Sequence, residues 1–176
     1  MDPVILDAAR RGDRKACGVL LSSLQDVWFR FSLGLLRDRE LAADATQETA
    51  LRFLKQISTF RGQSELKTWS LGIALNVTRE LKRKRQLTSD PDDLPHVVDP
   101  HDDAPESLGL SEQRERVRTL LGQLSDRQRE VVLLRFFEDL STDETAKMMK
   151  CASGTVKATL HQALRILKEK MAGPPN

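Results

Sequence analysis

The chain has 176 residues, 39% of them hydrophobic and 31% charged, and a formal net charge of +2. That suits one mid-sized or two small globular domains. No apolar run approaches the ~20 residues that span a bilayer, and Met1-Asp2-Pro3-Val4 lacks the basic-then-apolar order of a secretory signal. The cytosol is the expected address, with no membrane insertion. The two cysteines, Cys17 and Cys151, have no zinc-type spacing and are expected as small apolar residues at buried positions.

The chain lacks Tyr, and strand signals are nearly absent. From Pro3 to about Leu36 apolar residues recur at three- and four-residue steps, with a break at Arg11-Gly12-Asp13. A helix from about Arg39 to Ile57 and another from Leu66 to Arg85 follow, joined by the loop Phe60-Arg61-Gly62-Gln63-Ser64. The third helix ends in a basic cluster, Arg79, Lys82, Arg83, Lys84 and Arg85. Residues 1–87 therefore form one helical domain.

Residues 88–109 change character. They carry Pro91, Pro95, Pro100 and Pro105 with seven acids, and no Lys or Arg. Proline interrupts helices and the carboxylates repel one another, so this is an extended acidic linker. Fully stretched, it would reach roughly 70 Å. His96 and His101 lie in it among aspartates, but nothing fixes a metal geometry there, and no metal or other cofactor is expected.

Residues 110–172 return to helix, expected at about 111–122, 126–137, 142–149 and 154–171. Ser125 with Gln128, and Ser141 with Glu144, have the spacing of capping boxes. Ala146 allows a close helix crossing, a turn follows at Cys151-Ala152, and Ser153 is placed to cap the last helix. Val156, Leu160, Ala163, Leu164 and Leu167 would be buried there. Thr155, Lys157, Ala158, His161, Gln162 and Arg165 would face outward. This is helix-turn-helix geometry, with a basic, hydrogen-bonding face of the kind a polyanion needs. Arg127 is placed to reach phosphates, whereas Phe136 and Phe137 are expected in the core.

The order of parts resembles the extracytoplasmic-function class of bacterial sigma factors. The likeness is carried by Asp44-Ala-Thr-Gln-Glu-Thr, Phe60-Arg-Gly, Thr68-Trp69 with Ala74-Leu75-Asn76, Leu124-Ser-Asp-Arg-Gln-Arg-Glu-Val-Val-Leu-Leu-Arg and Ser153-Gly-Thr-Val-Lys. It implies an all-α protein of two small helical domains joined by the acidic linker. It also implies core RNA polymerase and promoter DNA as partners, an anti-sigma factor as a further one, and no catalysis.

The resemblance further implies that Asp44, Gln47, Glu48, Leu51, Arg52 and Lys55, which share one helix side, dock on core polymerase. Phe60, Arg61, Lys67, Trp69 and Asn76 would capture an unstacked minus-ten base and its backbone, because a splayed base needs an aromatic platform and an amide. For Trp69, core packing stands as an equal alternative. Arg79, Lys82 and Arg83 would meet the adjoining duplex. Arg127, Ser153, Thr155, Lys157, Ala158, His161, Gln162 and Arg165 would read the minus-thirty-five element. The linker would thread the polymerase cleft.

Leu41 and Ala43 stand where the family commonly has acids, which implies weaker core binding, or phosphorylation at Thr46 or Thr49 to restore charge. Ala158, Thr159 and Gln162 leave base preference open. Three alternatives remain from the residues alone: a helix-turn-helix regulator acting without polymerase, a polymerase-binding adaptor without promoter recognition, and an enzyme. The last has no phosphate loop or nucleophile–base motif behind it.

Overall fold

A computed structural model of the chain describes residues 2–88 and 116–172. The linker expectation for 88–109 lies almost wholly outside the described residues, as does the start of the helix expected from 111. Every regular element among the described residues is helical, as the all-α reading requires. The chain divides into two compact units, with the described residues 2–88 in the first and 116–172 in the second.

In the first unit, α1 (Pro3–Arg10) and α2 (Arg14–Leu36) are separated by Gly12, whose φ of +88° is a left-handed conformation that side chains resist. Asp2 and Asp13 cap the two helices by accepting from Val4 N and Ala16 N. Helix α3 (Arg39–Gln56) runs into a 3-10 turn, Ile57–Thr59, and α4 (Leu66–Thr88) continues three residues past the expected end. Helix α2 lies against both α3 and α4, and α1 rests on α2 and the 3-10 turn.

Among the described residues, α2 alone is long and apolar enough to cross a membrane. Its apolar side is the centre of this bundle, however: Leu20, Leu24, Trp28 and Phe31 are all buried. Four rings form a row through the core. Trp28 and Phe53 have centroids 5.3 Å apart, Phe53 and Trp69 5.7 Å, and Phe60 and Trp69 5.1 Å. All are tilted, the arrangement that ring quadrupoles favour. Burying an indole N–H requires an acceptor, and Trp28 Nε1 donates to Ser70 Oγ at 2.9 Å.

The second unit contains α5 (described over 116–122), α6 (Asp126–Val132), α7 (Thr142–Met149) and α8 (Ser153–Ala172). Both expected capping boxes form, with the Ser125 and Ser141 backbone N–H groups donating to Gln128 Oε1 at 3.0 Å and Glu144 Oε2 at 2.8 Å. Arg129 is buried and closes the end of α5, donating through Nε to the Leu121 carbonyl and through Nη2 to that of Leu124, both at 2.9 Å.

The helix expected over 126–137 is not uniform. Leu133–Phe137 is a π turn, and it swings Phe136 and Phe137 outward. Both rings are more than half exposed, so the expectation that they lie in the core is corrected. One extra residue in a turn rotates everything beyond it about the helix axis.

Candidate functional site

On α3, Asp44, Gln47, Leu51 and Lys55 are exposed and share one side. Glu48 and Arg52 are different. Arg52 Nε donates to Glu48 Oε1 at 2.7 Å, while its Nη1 and Nη2 donate to the two carboxylate oxygens of Glu80 in α4 at 2.9 and 2.7 Å. These bonds raise the Arg52 pKa further and hold the Glu80 carboxyl below the usual carboxylate range. Arg52 thus joins two helices of its own chain. Thr49 is fully buried with its hydroxyl on the Ala45 carbonyl at 2.6 Å. A phosphate cannot fit there, so the expectation of phosphorylation at Thr49 is corrected. Thr46 is half-buried, its hydroxyl on the Ala42 carbonyl at 2.7 Å.

The loop before α4 contains Arg61, which is exposed, and Gly62 at φ +71°. Phe60, expected as a base platform, is only 4% exposed because its ring closes the aromatic row against Trp69. It supports a platform but does not present one. Trp69 is half-buried, with the Phe53 and Phe60 rings against it. Trp69, exposed Asn76 and exposed Arg83 recur every seven residues, which aligns them along one side of α4 at about 10 Å intervals.

Lys67, Arg79 and Lys82 are half-buried, and of the three Arg79 flanks this stripe most closely, about 60° round the helix from Asn76. Arg85 is directed elsewhere, with Nη1 pairing to Asp38 Oδ2 at 2.5 Å. Burial would raise the Asp38 pKa, but the Leu41 N–H and the Arg85 guanidinium outweigh it and hold the carboxyl below its ordinary value. The basic cluster is thus divided between an outward stripe and an internal tie, a distinction that composition alone could not make.

In the second unit, Val156 and Ala163 are fully buried and Leu160 and Leu167 half-buried. Leu164 is 42% exposed, which corrects its expected burial. At 100° per residue it stands well round the helix from the Val156–Ala163 line. Thr155, Lys157, Ala158, His161, Gln162 and Arg165 are exposed together on α8, and Arg127 is exposed at the start of α6.

The turn between α7 and α8 is closed by Lys150 in a left-handed conformation at φ 54°, with the Cys151 N–H donating to the Ala146 carbonyl at 3.0 Å. Ser153 is the first residue of α8 rather than its cap, because the Thr155 N–H bonds the Ala152 carbonyl. Its hydroxyl donates to Asp143 Oδ1 at 2.6 Å, tying α8 to α7. Asp143, Glu80 and Asp38 are thus contributors that side-chain spacing had not identified. Both cysteines are half-buried rather than buried. Among the described residues no cluster of His, Cys, Asp or Glu could hold a metal ion.

Residues 20–88 match the family model for Sigma-70 region 2, and residues 114–167 match that for Sigma-70, region 4. The chain is 33% identical to the ECF RNA polymerase sigma factor SigX of Bacillus subtilis, over 84% of this chain and 78% of that one. It is also 33% identical to the RNA polymerase sigma-E factor of Streptomyces coelicolor, over 84% of this chain and 81% of that one. Among solved structures it is similar to the sigma factor RpoE in complex with the anti-sigma factor NepR from Bartonella quintana. That likeness has a TM-score of 0.73 and 26% identity, over 89% of this chain and 95% of that one.

Proposed function

The chain belongs to the extracytoplasmic-function class of RNA polymerase sigma factors, and from that premise we propose how its two units divide the work. As a sigma factor it binds core RNA polymerase and directs promoter-specific initiation, which sets aside the regulator acting without polymerase. It is an initiation factor, not an enzyme.

In the proposed division, α3 docks on core through Asp44, Gln47, Glu48, Leu51 and Lys55, while Arg52, expected in the same set, is tied to Glu80. Trp69 and Asn76 receive and read an unstacked base of the minus-ten element, with Phe60 behind the indole, Arg61 and Lys67 beside the backbone, and Arg79, Lys82 and Arg83 toward the adjoining duplex. In the second unit α8 enters the major groove at the minus-thirty-five element. There Thr155, Lys157, Ala158, His161, Gln162 and Arg165 face bases and phosphates, Arg127 adds a phosphate contact from α6, and Ser153 acts through Asp143 on the pose of α8.

The observation that carries this reading is that the region 2 and region 4 matches fall in order on two units, each presenting an exposed stripe of suitable chemistry. Aromatic and amide groups suit an unstacked base; cations and small polar groups on a helix suit duplex. The chain would act in the cytoplasm, where core polymerase is. A partner of the kind bound to the Bartonella quintana relative, an anti-sigma factor, would cover these same surfaces.

Mapping transcript starts from genomic fragments with core polymerase, with and without the chain, tests the reading. Specific starts that depend on the chain, and that Asn76→Ala and Trp69→Ala remove without loss of core binding, are expected. DNA binding with no specific start would overturn it.

A further inference from the structure

Helix α4 carries one acid among its 23 residues, Glu80, in the midst of Lys67, Arg79, Lys82, Arg83, Lys84 and Arg85. At 100° per residue Glu80 stands about 40° round the helix from Asn76 and about 60° from Arg83. Its carboxylate therefore rises on nearly the same side as the outward stripe. A lone carboxylate there would repel a phosphate backbone and attract the Arg83 guanidinium away from it.

Two observations show how the chain deals with that charge. Arg52 of α3 forks onto both carboxylate oxygens of Glu80, the planar geometry that makes arginine–carboxylate pairs specific. Glu48, one turn before Arg52 on α3, holds the guanidinium from behind at Nε. The three side chains are each between 31% and 47% exposed, so the arrangement contributes little to global stability. Its consequence is directional: it fixes where the carboxylate points and what field α4 presents.

We propose that Arg52 is a positioning residue for promoter contact, holding the carboxylate of Glu80 against α3 so that the only acid of α4 is withheld from DNA. This rests on the reading that α4 meets duplex and deepens it. It also removes Arg52 from the surface that polymerase touches, although it shares a helix side with Asp44, Gln47 and Leu51. The same fork ties the docking helix to the DNA-facing helix.

The test uses the full chain as wild type, Arg52→Gln, Glu80→Gln and the double variant. Each is measured for affinity to core polymerase and, across a salt series, to a fluorescent random-sequence duplex. Arg52→Gln is expected to weaken duplex binding about threefold to tenfold and to lower the log–log salt slope by about one, as loss of one phosphate contact would. Core affinity should stay within about twofold, a change too small to mark a docking residue. Glu80→Gln added to Arg52→Gln is expected to restore duplex binding and the slope, because the charge to be withheld is gone.

A general loss of structure would not be relieved by removing Glu80, so the double variant separates positioning from folding. Arg52→Lys, which keeps the charge, should retain most of the duplex affinity and serves if the glutamine variant unfolds. Loss of core affinity in Arg52→Gln that Glu80→Gln does not restore would overturn the proposal, as would duplex binding indifferent to Arg52. If the wild type gives no specific starts with core polymerase, the sigma reading fails separately, and the duplex measurements still decide the role of Arg52.

Discussion

The two units are held together differently. In the first, local caps are joined by ties between residues far apart in the chain: Trp28 to Ser70, Arg52 to Glu80, and Asp38 to Arg85. In the second, most ties are local: Ser125 with Gln128, Ser141 with Glu144, Arg129 with the Leu121 and Leu124 carbonyls, and Asp143 with Ser153 ten residues on. A unit built from local ties takes its shape from each helix end in turn. A unit built from distant ties has surfaces whose chemistry depends on which helix lies behind them. The consequence is visible in function: the exposed stripe of α8 is close to what its periodicity implies, whereas the stripes of α3 and α4 are edited by their neighbours.

The sharpest break in this comparison would come from Phe53→Ala. Phe53 is fully buried between Trp28 and Trp69, and its loss should cost the first unit about 3–5 kcal/mol. Both tryptophans of the chain lie in that unit, so fluorescence-detected denaturation reports it alone. Amide exchange in α6–α8 should be unchanged; a shared loss would show that the two units do not fold independently.

A smaller effect sharpens the other side. Arg129→Met keeps the length of a buried side chain but orphans two carbonyls at the end of α5, and should cost the second unit about 2–3 kcal/mol. Here protection of α6–α8 falls while the tryptophan transition stays in place. The opposite pattern would mean that the end of α5 is held by something other than Arg129.

Acid should separate the units more gently. Asp38 and Glu80 in the first unit and Glu144 in the second all have carboxyls held below their ordinary values. For Glu144 the Ser141 hydroxyl and N–H are the main causes. A carboxyl depressed by folding stabilises the fold above its unfolded pKa, and that stability is lost as pH falls through the folded one. Both units should therefore weaken below about pH 4.5. The first should weaken more, because two of its links between helices are protonated, against one cap in the second. A tryptophan-detected midpoint that falls less steeply than exchange protection in α7 would reverse the comparison.

How much was legible follows from the same distinction. Capping boxes at Ser125 and Ser141, the break at Gly12 and the α8 face were readable, because a cap or a helix face is decided within one or two turns. The burial of Phe60 was not legible: an aromatic residue at a loop end suits a platform or a core, and only the position of Trp69 shows the ring packed. The tie of Arg52 to Glu80 was illegible for the same reason, since its three- and four-residue spacing names a side of α3 but not what stands opposite. Phe136 and Phe137 look like core by composition, yet a single π turn rotates them outward.

By itself, the sequence determined the all-α character, the capping boxes at Ser125 and Ser141 and the order of motifs that places the chain among sigma factors. These depend on residues that interact through the backbone between them. Only the tertiary structure decided which cations face outward and which are tied within the chain, with Arg83 on the stripe, Arg52 on Glu80 and Arg85 on Asp38. Charge is a property of composition, but the direction in which a charge acts is set by the nearest opposite charge, and folding chooses that neighbour.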